Sequence, residues 1–461
     1  MEPCTIAAIS TALSNSGIGI IRVSGDEAVD IVDKIFVNRK CHHILKSMES
    51  HTIHYGFIID MDNEIVDEVM VSYMKAPNSF TVEDTVEINC HGGVLVMKHI
   101  LELVIRNGAR LAQPGEFTKR AFLNGRIDLS KAEAVMDLIS SKNDLALKSS
   151  VKQLNGSVYE TISEIRENII YEIAFIESAL DDPEHVSFEG YSDKLRNKIK
   201  ILSEKIKKLL ATAENGKIVK EGIRAVIVGK PNVGKSSLLN ILAGEEKAIV
   251  TTVPGTTRDI LEEDILIDGI NLHITDTAGI RQTEDIVEQI GVDKAKKYAE
   301  DADLIIYVID SSISLDENDV QIMEMIKDKK CIVLFNKSDL DQQISVEQIK
   351  EKIGNQNTII KTSTKNYSGI DQFKNTIKHM FLHGDISLND ELVITNIRHK
   401  EALQEAAESL DQVNKSLDLD MPEDFYSIDL MNAYSSLGRI IGEEVEDDLI
   451  NEIFSKFCMG K

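Results

Sequence analysis

The chain has 461 residues, of which 43% are hydrophobic and 28% are charged, and its formal net charge is −26. That length exceeds one ordinary core and predicts two to four domains, while the acidic balance argues against a general binder of polyanions. No apolar run reaches the ~18 residues that span a bilayer, and the N-terminal stretch lacks the basic and apolar regions of a secretory signal. Five scattered cysteines argue against a disulfide framework, so we expect a cytoplasmic protein.

Short β-like runs alternate with short helical patterns over residues 1–120, which predicts an α+β domain. The runs read GIGIIRVSG, HTIHYGFIID, EVMVSYM and TVEINCHGG. Cys41 is followed by two histidines and Cys90 by one. Because no second ligand pair has the spacing of a structural zinc site, we predict no zinc here.

Helical periodicity dominates residues 121–221 and returns over residues 384–461, on either side of an alternating β/α region at 222–383. Neither helical zone is large enough to bury its apolar faces alone. We therefore predict one discontinuous helical domain with the α/β domain inserted into it.

The segment DKLRNKIKILSEKIKKLL (193–210) is a candidate basic patch, with seven Lys or Arg residues against two acids. Within it, Ile199, Leu202, Ile206 and Leu209 form a stripe with helical spacing. The preferred interpretation is a solvated helix face rather than a nucleic-acid contact.

The run RAVIVGKPNVGKSSLLNILAG (224–244) has the pattern of a strand, a glycine-bearing loop and a helix. Gly229 is followed after four residues by Gly234-Lys235-Ser236, the spacing of a phosphate-binding loop. In such loops backbone N–H groups cradle phosphate oxygens, the lysine places a cation on the β- and γ-phosphates, and the hydroxyl binds Mg²⁺. We therefore expect a catalytic role for Lys235 and a Mg²⁺-binding role for Ser236.

Three further elements follow in the order that GTPases have. TTVPGTTRD offers Thr257 as a second hydroxyl for Mg²⁺, and Asp276 of DTAG ends an apolar run. In NKSD, the carboxylate of Asp339 can accept two hydrogen bonds from guanine that adenine cannot supply. These motifs predict a Ras-like P-loop GTPase domain. The expected nucleotide contacts are Asn232, Val233, Gly234, Lys235, Ser236, Ser237, Thr251, Thr252, Val253, Pro254, Gly255, Thr256, Thr257, Asp276, Thr277, Ala278, Gly279, Asn336, Lys337, Asp339, Ser363, Thr364 and Lys365.

Two features of the same region concern its geometry and its chemistry. Asp268-Gly269 between two apolar runs is a hairpin signal and predicts the one antiparallel pair of the sheet. After DTAG stands Ile280, where Ras-type proteins have the glutamine that orients the attacking water. Another group must therefore hold that water.

The chain resembles the MnmE (TrmE) family of tRNA-modification GTPases over essentially its whole length, from Ile20 to Lys461. The resemblance is carried by IIRVSG, FTVEDTVEINCHGG, PGEFTKRAFLNGRIDL, GKPNVGKSS, TTVPGTTRD, DTAGIR and the terminal FCMGK. It implies an N-terminal folate-binding and dimerisation domain, a discontinuous helical domain that ends in the tail, and an inserted Ras-like GTPase domain. These three agree with the zones above.

The resemblance also implies a homodimer that joins an FAD-dependent partner, MnmG (GidA), and acts on tRNA. Together the two proteins attach an aminomethyl or carboxymethylaminomethyl group to C5 of the wobble uridine. The carbon comes from a tetrahydrofolate derivative (5-formyl or 5,10-methylene), and the amine is glycine or ammonium. The modification requires GTP hydrolysis, which needs Mg²⁺ and is stimulated by K⁺.

For the GTPase domain, the resemblance implies roles at matching positions. The implied K⁺ ligands are Asn232, Thr251, Val253 and Thr256. Glu288 is implied to be the catalytic carboxylate that positions the hydrolytic water. On the residues alone, Asn232 can equally serve the geometry of the loop, and the nearby acids Glu284 and Asp285 compete with Glu288.

For the N-terminal domain, the resemblance implies a folate site. The implied contacts are Arg22, Glu87, Arg126 and Lys461. A carboxylate suits the N–H donors of a pterin edge and an arginine suits the carboxylates of folate, but a cross-strand ion pair is the alternative for Arg22 and Glu87. Cys458 is either a supporting thiol or a packed small residue, and the end of the chain does not suit a prenylation signal.

Two other functions share these nucleotide motifs. A ribosome-assembly GTPase would carry a basic RNA-binding domain beside the GTPase domain. A regulatory switch would bind a partner protein and modify no RNA.

Overall fold

The computed structural model describes residues 4–38, 45–182, 184–185, 187–245, 262–276, 300–327, 329–354, 357–381 and 392–460. The chain divides into two compact units. The first comprises Met1–Met136, Gln153–Ser187 and Asp420–Lys461, and the second comprises Asp137–Lys152 and Phe188–Leu419. Because these units divide the two helical zones between them, the predicted domain boundaries stay a prediction.

The strands and helices of the described residues are numbered here in chain order. The strands are β1 (Ile6–Ile9), β2 (Ser16–Ser24), β3 (Phe36–Val37), β4 (Thr52–Ile59), β5 (Ile65–Met74), β6 (Thr85–Gly92), β7 (Arg110–Leu111), β8 (Ile223–Val228), β9 (Glu262–Ile267), β10 (Ile270–Asp276), β11 (Leu304–Asp310), β12 (Cys331–Asn336) and β13 (Thr358–Lys361). The helices are α1 (Ala28–Ile35), α2 (Val94–Arg106), α3 (Glu116–Leu123), α4 (Leu129–Ser140), α5 (Asp144–Leu154), α6 (Ser157–Asp181), α7 (Tyr191–Glu221), α8 (Lys235–Glu245), α9 (Glu317–Ile326), α10 (Val346–Ile353), α11 (Ile370–Phe381), α12 (Ile397–Asp418), α13 (Glu423–Ile441) and α14 (Asp447–Ser455).

The first unit contains a seven-stranded sheet with the order β3-β4-β5-β6-β2-β1-β7. Paired strands are antiparallel except β1 and β7, which are parallel. Residues of α1 and α2 share a core with the sheet, for example Val32 and Ile100 with Ile21 and Ile88. Because alternate strand residues and one stripe of each helix are apolar, the sheet and helices can bury these faces together. The predicted α+β character of this region is confirmed.

Helices from both ends of the chain complete the first unit. α6 and α13 pack together, and Ile165 of α6 and Leu437 of α13 are fully buried. The guanidinium carbon of Arg166 lies 4.0 Å from the ring centroid of Tyr434. A smaller core joins residues around α4 to α14, which brings the C-terminal segment back to the N-terminal part of the chain.

The second unit contains a six-stranded sheet with the order β13-β12-β11-β8-β10-β9. All pairs are parallel except the β9–β10 hairpin. The hairpin turns at Asp268 (φ 48°) and Gly269 (φ 83°), as predicted. Every residue of β11 and β12 is buried, because a parallel sheet is covered on both faces. The predicted α/β architecture with one antiparallel pair is confirmed.

The basic segment at 193–210 lies in α7. Its Ile199, Leu202, Ile206 and Leu209 are buried, and α7 packs against α12. Four of its lysines are exposed, namely Lys194, Lys200, Lys207 and Lys208. The predicted helix and its buried apolar stripe are therefore confirmed, and the choice between a solvated face and a nucleic-acid contact stays a prediction. Within the described residues, no helix combines the length and the apolar character that crossing a bilayer requires.

Candidate functional site

The loop between β8 and α8 has a conformation that requires its glycines. Gly229 has φ +149° and Gly234 has φ +108°. A Cβ atom at Gly229 would collide with the carbonyl oxygen of Val308, and one at Gly234 would collide with the side chain of Asn336. Asn232 also lies in the left-handed region (φ 62°), which asparagine tolerates better than most residues. The loop is therefore held close to the carboxyl ends of β11 and β12.

Lys235 begins α8, and the loop itself binds its side chain. Its Nζ donates hydrogen bonds to the carbonyl oxygens of Gly229 and Lys230, both at 2.6 Å. The residue is 9% exposed. An ammonium held at the N-terminal end of a helix is suited to phosphate oxygens, which the helix dipole also attracts. The phosphate-binding and catalytic role of Lys235 stays a prediction, and this geometry is compatible with it.

Asn336 ends β12 and connects the phosphate loop to the loop after β13. Its Nδ2 donates to the carbonyl oxygen of Val233 at 2.7 Å, and its Oδ1 accepts from the Thr364 N–H at 3.2 Å. The side chain is almost completely buried. The structure thus brings together residues of three predicted motifs that lie far apart in the sequence.

Asp339 is exposed, and its carboxylate lies beside the Ser363 hydroxyl. Ser363 Oγ donates to Asp339 Oδ1 at 2.6 Å. This hydrogen bond lowers the pKa of Asp339 below its ordinary value. The carboxylate is therefore ionised at neutral pH and available as an acceptor for the two N–H groups of a guanine edge.

Two lysines of this region form ion pairs that no motif in the sequence indicated. Lys230 Nζ lies 2.7 Å from Asp319 Oδ2, and Lys337 Nζ lies 2.6 Å from Asp310 Oδ2. Asp310 and Asp319 belong to the segment that leads from β11 into α9. Of these four residues, only Asp310 carries a signal in the sequence. It ends an apolar run, and residues at the carboxyl ends of parallel strands commonly line ligand sites.

The predicted metal ligands fall partly outside the described residues. Ser236 lies exposed in the first turn of α8, where a hydroxyl suits a Mg²⁺ ion bound between phosphates. Asp276 is the last residue of β10 and pairs in register with Ile227 of β8, so the chain leaves both strands at the same edge of the sheet. The predicted residues outside the described part are Thr251, Thr252, Val253, Pro254, Gly255, Thr256, Thr257, Thr277, Ala278, Gly279, Ile280, Glu284, Asp285 and Glu288.

Arg22 and Glu87 face each other on β2 and β6. They are directly paired in register, and Arg22 Nε donates to Glu87 Oε1 at 2.8 Å. About one fifth of each side chain is exposed. The cross-strand ion pair that the sequence left as an alternative is therefore present. An ion pair open to solvent on one side can also exchange partners with a charged ligand.

Phe80 brings the third predicted folate residue into the same cluster. The guanidinium carbon of Arg126 lies 4.9 Å from the Phe80 ring centroid, and that of Arg22 lies 5.9 Å from it. Arg126 Nη1 also donates to the Phe80 carbonyl oxygen at 2.9 Å. Phe117 adds a second ring 5.6 Å from the guanidinium of Arg22. Sequence reasoning missed both phenylalanines, because an isolated aromatic residue reads as core.

A buried polar network joins β7 to α3 in the same unit. Glu116 accepts hydrogen bonds from Arg110 and Arg120 and from the Gln113 N–H. Arg120 also donates to both carboxylate oxygens of Glu83 at 2.9 Å. Burial alone would raise the pKa of the Glu116 carboxyl, but the hydrogen bonds from Arg110 and Gln113 outweigh it and hold that pKa below its ordinary value.

The C-terminal tail lies against β1 and the start of α3. Ser10 Oγ donates to the Gly460 carbonyl oxygen at 3.0 Å, and the Gly115 N–H donates to the Cys458 carbonyl oxygen at 3.3 Å. Cys458 is exposed, which contradicts the packed alternative. Lys461 lies outside the described residues.

The cysteine–histidine pairs of the sequence have different environments. Cys90 is buried, and burial raises the pKa of its thiol to about 11. His91 pairs instead with Asp67, at 2.7 Å from Nδ1 to Oδ1. Cys41 and the two histidines after it lie outside the described residues. Within the described ranges, no group of three or more His, Cys, Asp or Glu side chains could hold a metal ion.

Two family models match the chain. The model described as the MnmE helical domain matches residues 129–458, and the model described as the N-terminus of the GTP-binding protein TrmE matches residues 5–126.

The chain is also similar to curated proteins over its full length. A protein of Lachnoclostridium phytofermentans described as tRNA modification GTPase MnmE is 56% identical over 461 residues, which is 100% of both chains. One of Acetivibrio thermocellus with the same description is 50% identical over 458 residues, 99% of both chains. Among solved structures, the G domain of the T. maritima FeoB iron transporter has 28% sequence identity and a TM-score of 0.26, covering 34% of this chain and 96% of that one.

Proposed function

The chain belongs to the MnmE family of tRNA modification GTPases, and from this premise we propose that it couples GTP hydrolysis to modification of C5 of the wobble uridine in tRNA. The proposed product carries an aminomethyl or carboxymethylaminomethyl group, with its carbon supplied by a tetrahydrofolate derivative. Family membership itself makes the chain a GTP hydrolase of tRNA modification. The substrate position, the carbon source, the cation requirement and the partners are the proposed part.

The observation that carries the GTPase part is the meeting of the nucleotide motifs at one edge of the second unit's sheet. Lys235 is held in the phosphate loop, and Asn336 ties that loop to Thr364. Asp339 and Ser363 lie side by side where a guanine edge would be read. In this arrangement Lys235 binds the phosphates, while Asp339 selects guanine.

The proposed cations act where negative charge develops during hydrolysis. Ser236 and Thr257 would hold Mg²⁺, which would neutralise phosphate charge, and Asn232 would help to hold K⁺, which would add the positive charge that an arginine finger supplies elsewhere. Asn232 supports the K⁺ proposal, since its exposed side chain lies in the phosphate loop. The proposed water-positioning residue is Glu288, and the remaining proposed K⁺ ligands are Thr251, Val253 and Thr256.

The cluster around Phe80 supports a folate site in the first unit. Arg22 and Arg126 offer cations beside an aromatic ring, which suits the carboxylates and the flat pterin of a folate. Glu87 offers acceptors for pterin N–H groups. Bound folate would supply the one-carbon unit, while these side chains bind and orient it. Lys461 and the exposed Cys458 are proposed to approach the same site from the tail.

The proposal also includes a homodimer, an FAD-dependent partner (MnmG) and tRNA in the cytoplasm. A ribosome-assembly GTPase is disfavoured, because residues 5–126 match the TrmE N-terminus rather than a basic RNA-binding domain. A regulatory switch without RNA chemistry is disfavoured by the full-length relatives described as tRNA modification GTPases.

Mass analysis of wobble nucleosides tests the proposed function. Cells that lack the protein should accumulate tRNA with unmodified C5 at the wobble uridine, and the wild-type gene should restore the modification. A gene encoding Glu87→Ala should fail to restore the modification, because Glu87 belongs to the proposed folate site. The purified variant should still hydrolyse GTP, because Glu87 and the GTPase motifs lie in different units. Wobble uridines that carry the wild-type modification at C5 in the deletion strain would refute the proposal.

A further inference from the structure

Lys230, the second residue of the phosphate loop, has its side chain bound by two carboxylates at the start of α9, those of the N-cap residue Asp316 and of Asp319. Its Nζ lies 2.7 Å from Asp319 Oδ2 and 2.9 Å from Asp316 Oδ2. Only 12% of the Lys230 side chain and 3% of the Asp319 side chain are exposed. Burial lowers the pKa of Lys230, but the hydrogen bonds to Asp319 and Asp316 outweigh it and raise that pKa above its ordinary value. Lys230 is therefore charged and held firmly.

Asp319 has a fixed orientation, because both of its carboxylate oxygens accept hydrogen bonds from other residues. Its Oδ1 accepts from the Tyr307 hydroxyl at 2.9 Å, and its Oδ2 accepts from the Asp316 N–H at 3.2 Å. Asp316 in turn accepts from the Asp319 N–H, so the two residues form the capping box of α9. The carboxylate that binds Lys230 is thus fixed to the helix and to strand β11.

The main chain of Lys230 has a second function in the phosphate loop. Its carbonyl oxygen accepts a hydrogen bond from Lys235 Nζ at 2.6 Å. Lys230 therefore connects two parts of the site. Its side chain binds the capping box of α9, and its carbonyl oxygen binds the ammonium of Lys235. Any shift of the Lys230 backbone would move one of the two described acceptors that hold this ammonium.

The same segment also reaches the guanine side of the site. We call Asp310–Asp319, which joins β11 to the first turn of α9, the connecting segment. At its start, Asp310 pairs with Lys337 at 2.6 Å, and Ser311 Oγ donates to the Asn336 carbonyl oxygen at 2.7 Å. The connecting segment thus contacts Asn336–Asp339, which we call the base-reading motif, at one end and the phosphate loop at the other.

We propose that Lys230 is a positioning residue for GTP hydrolysis, and that its ion pair with Asp319 aligns the ammonium of Lys235 with the γ-phosphate. The connecting segment keeps Asp319 in a fixed position relative to the site, since it is bonded to the base-reading motif as well as to the phosphate loop. The inference rests on GTP hydrolysis and does not depend on the folate or potassium proposals. It assigns to Lys230 and Asp319 a role that none of the nucleotide motifs includes.

Steady-state hydrolysis and GDP binding by the full-length protein test this role. In Lys230→Met and in Asp319→Asn, kcat should fall about tenfold or more, because the ammonium is no longer aligned in the transition state. The dissociation constant for GDP should change less than about threefold, since guanine reading and the β-phosphate contacts remain. Lys230→Arg should keep most of the wild-type kcat, because a guanidinium can bridge both carboxylates.

The ion pair between Arg224 and Asp303 provides a matched control, because it lies at the opposite ends of β8 and β11 from the phosphate loop and the connecting segment. Arg224 lies on β8 and Asp303 directly before β11, with Arg224 Nε 3.2 Å from Asp303 Oδ2. Arg224→Met should leave kcat unchanged. In a double-mutant cycle, Lys230→Met combined with Asp319→Asn should lose no more activity than Lys230→Met alone.

Three results would overturn the proposal. One is an unchanged kcat in a folded Lys230→Met protein, as judged by its melting temperature. Another is independent losses in the cycle, which would show that the two residues act separately. The third is a loss of GDP affinity in proportion to the loss of kcat, which would indicate a general loosening of the site. If Lys230→Met does not fold, Asp319→Asn and Lys230→Arg give the same discrimination.

Discussion

Asn336 shows how much of the nucleotide site depends on one side chain. Its carboxamide donates to Val233 of the phosphate loop and accepts from Thr364 after β13. Its neighbour Lys337, in the left-handed region at φ 59°, turns back to pair with Asp310. A buried amide with both of its ends bonded specifies one arrangement of the loops, because any other would leave polar atoms unpaired.

A further consequence at the residue scale concerns Ile280, which cannot orient a water as a glutamine would. We expect GTP turnover to be at least about tenfold faster in KCl than in NaCl at equal ionic strength, because the proposed K⁺ would supply the charge that other GTPases take from arginine. The measurement is phosphate release by the full-length protein at saturating GTP and Mg²⁺. Equal rates in the two salts would contradict a K⁺ site at Asn232.

Among the secondary structure elements, α3 and β7 are joined by charged side chains. Glu116 in the first turn of α3 accepts from Arg110 of β7, and Arg120 in the last turn bonds both Glu116 and Glu83. The same helix carries Phe117, which lies beside Arg22. The position of the proposed folate cluster therefore depends on a buried ion network, which is costly to break at one member.

We expect Glu116→Gln to lower the free energy of unfolding at pH 7 by about 3 kcal/mol, because it removes the carboxylate that pairs with the buried Arg120 and the partly exposed Arg110. The folded pKa of Glu116 is depressed, so its stabilisation is complete above the unfolded pKa of about 4.3 and is lost as the pH falls through the folded pKa. The stability gap between wild type and variant should therefore close below about pH 4 in urea titrations.

The control for this prediction is Glu452→Gln on α14 of the same unit. Glu452 pairs with Lys456 at 3.0 Å on an exposed helix surface. Its replacement should leave the unfolding curve unchanged, since exposed pairs contribute little. A gap for Glu116→Gln that stays constant down to pH 3 would contradict the assignment of the charge effect to Glu116.

At the scale of the whole molecule, the two proposed ligands belong to different compact units. The GTPase motifs lie in the second unit, whereas Arg22, Glu87, Arg126 and the tail lie in the first. A ligand that binds only the folded form stabilises the unit that contains its site. The division of the chain therefore offers a way to assign each ligand to its unit.

Calorimetry of the full-length protein should show two unfolding transitions. GDP with Mg²⁺ should raise one transition and 5-formyltetrahydrofolate the other, each by about 5–10 °C at a hundredfold excess over its dissociation constant. Lys235→Ala should abolish the first shift and Glu87→Ala the second, so each variant serves as the control for the other. If both ligands raise the same transition, the folate site is not in the first unit.

The sequence by itself determined the fold class, the family and the nucleotide motifs. These follow from local patterns, because a phosphate loop, a hairpin turn and a strand run are each built from consecutive residues whose backbone conformations the side chains dictate. Gly229, Gly234 and Asp268-Gly269 are examples, since the left-handed conformations found there could be expected from the residue types alone.

Only the tertiary structure decided which distant residues meet. The bond from Asn336 to Val233, the cluster around Phe80, and the ion pair between Lys230 and Asp319 each join residues from separate elements. A periodic pattern predicts which face of a strand or helix is buried, but neither strand order nor register. Those are set by packing of the whole sheet, and the pairing of Arg22 with Glu87 and the reach of Lys230 to α9 follow from them.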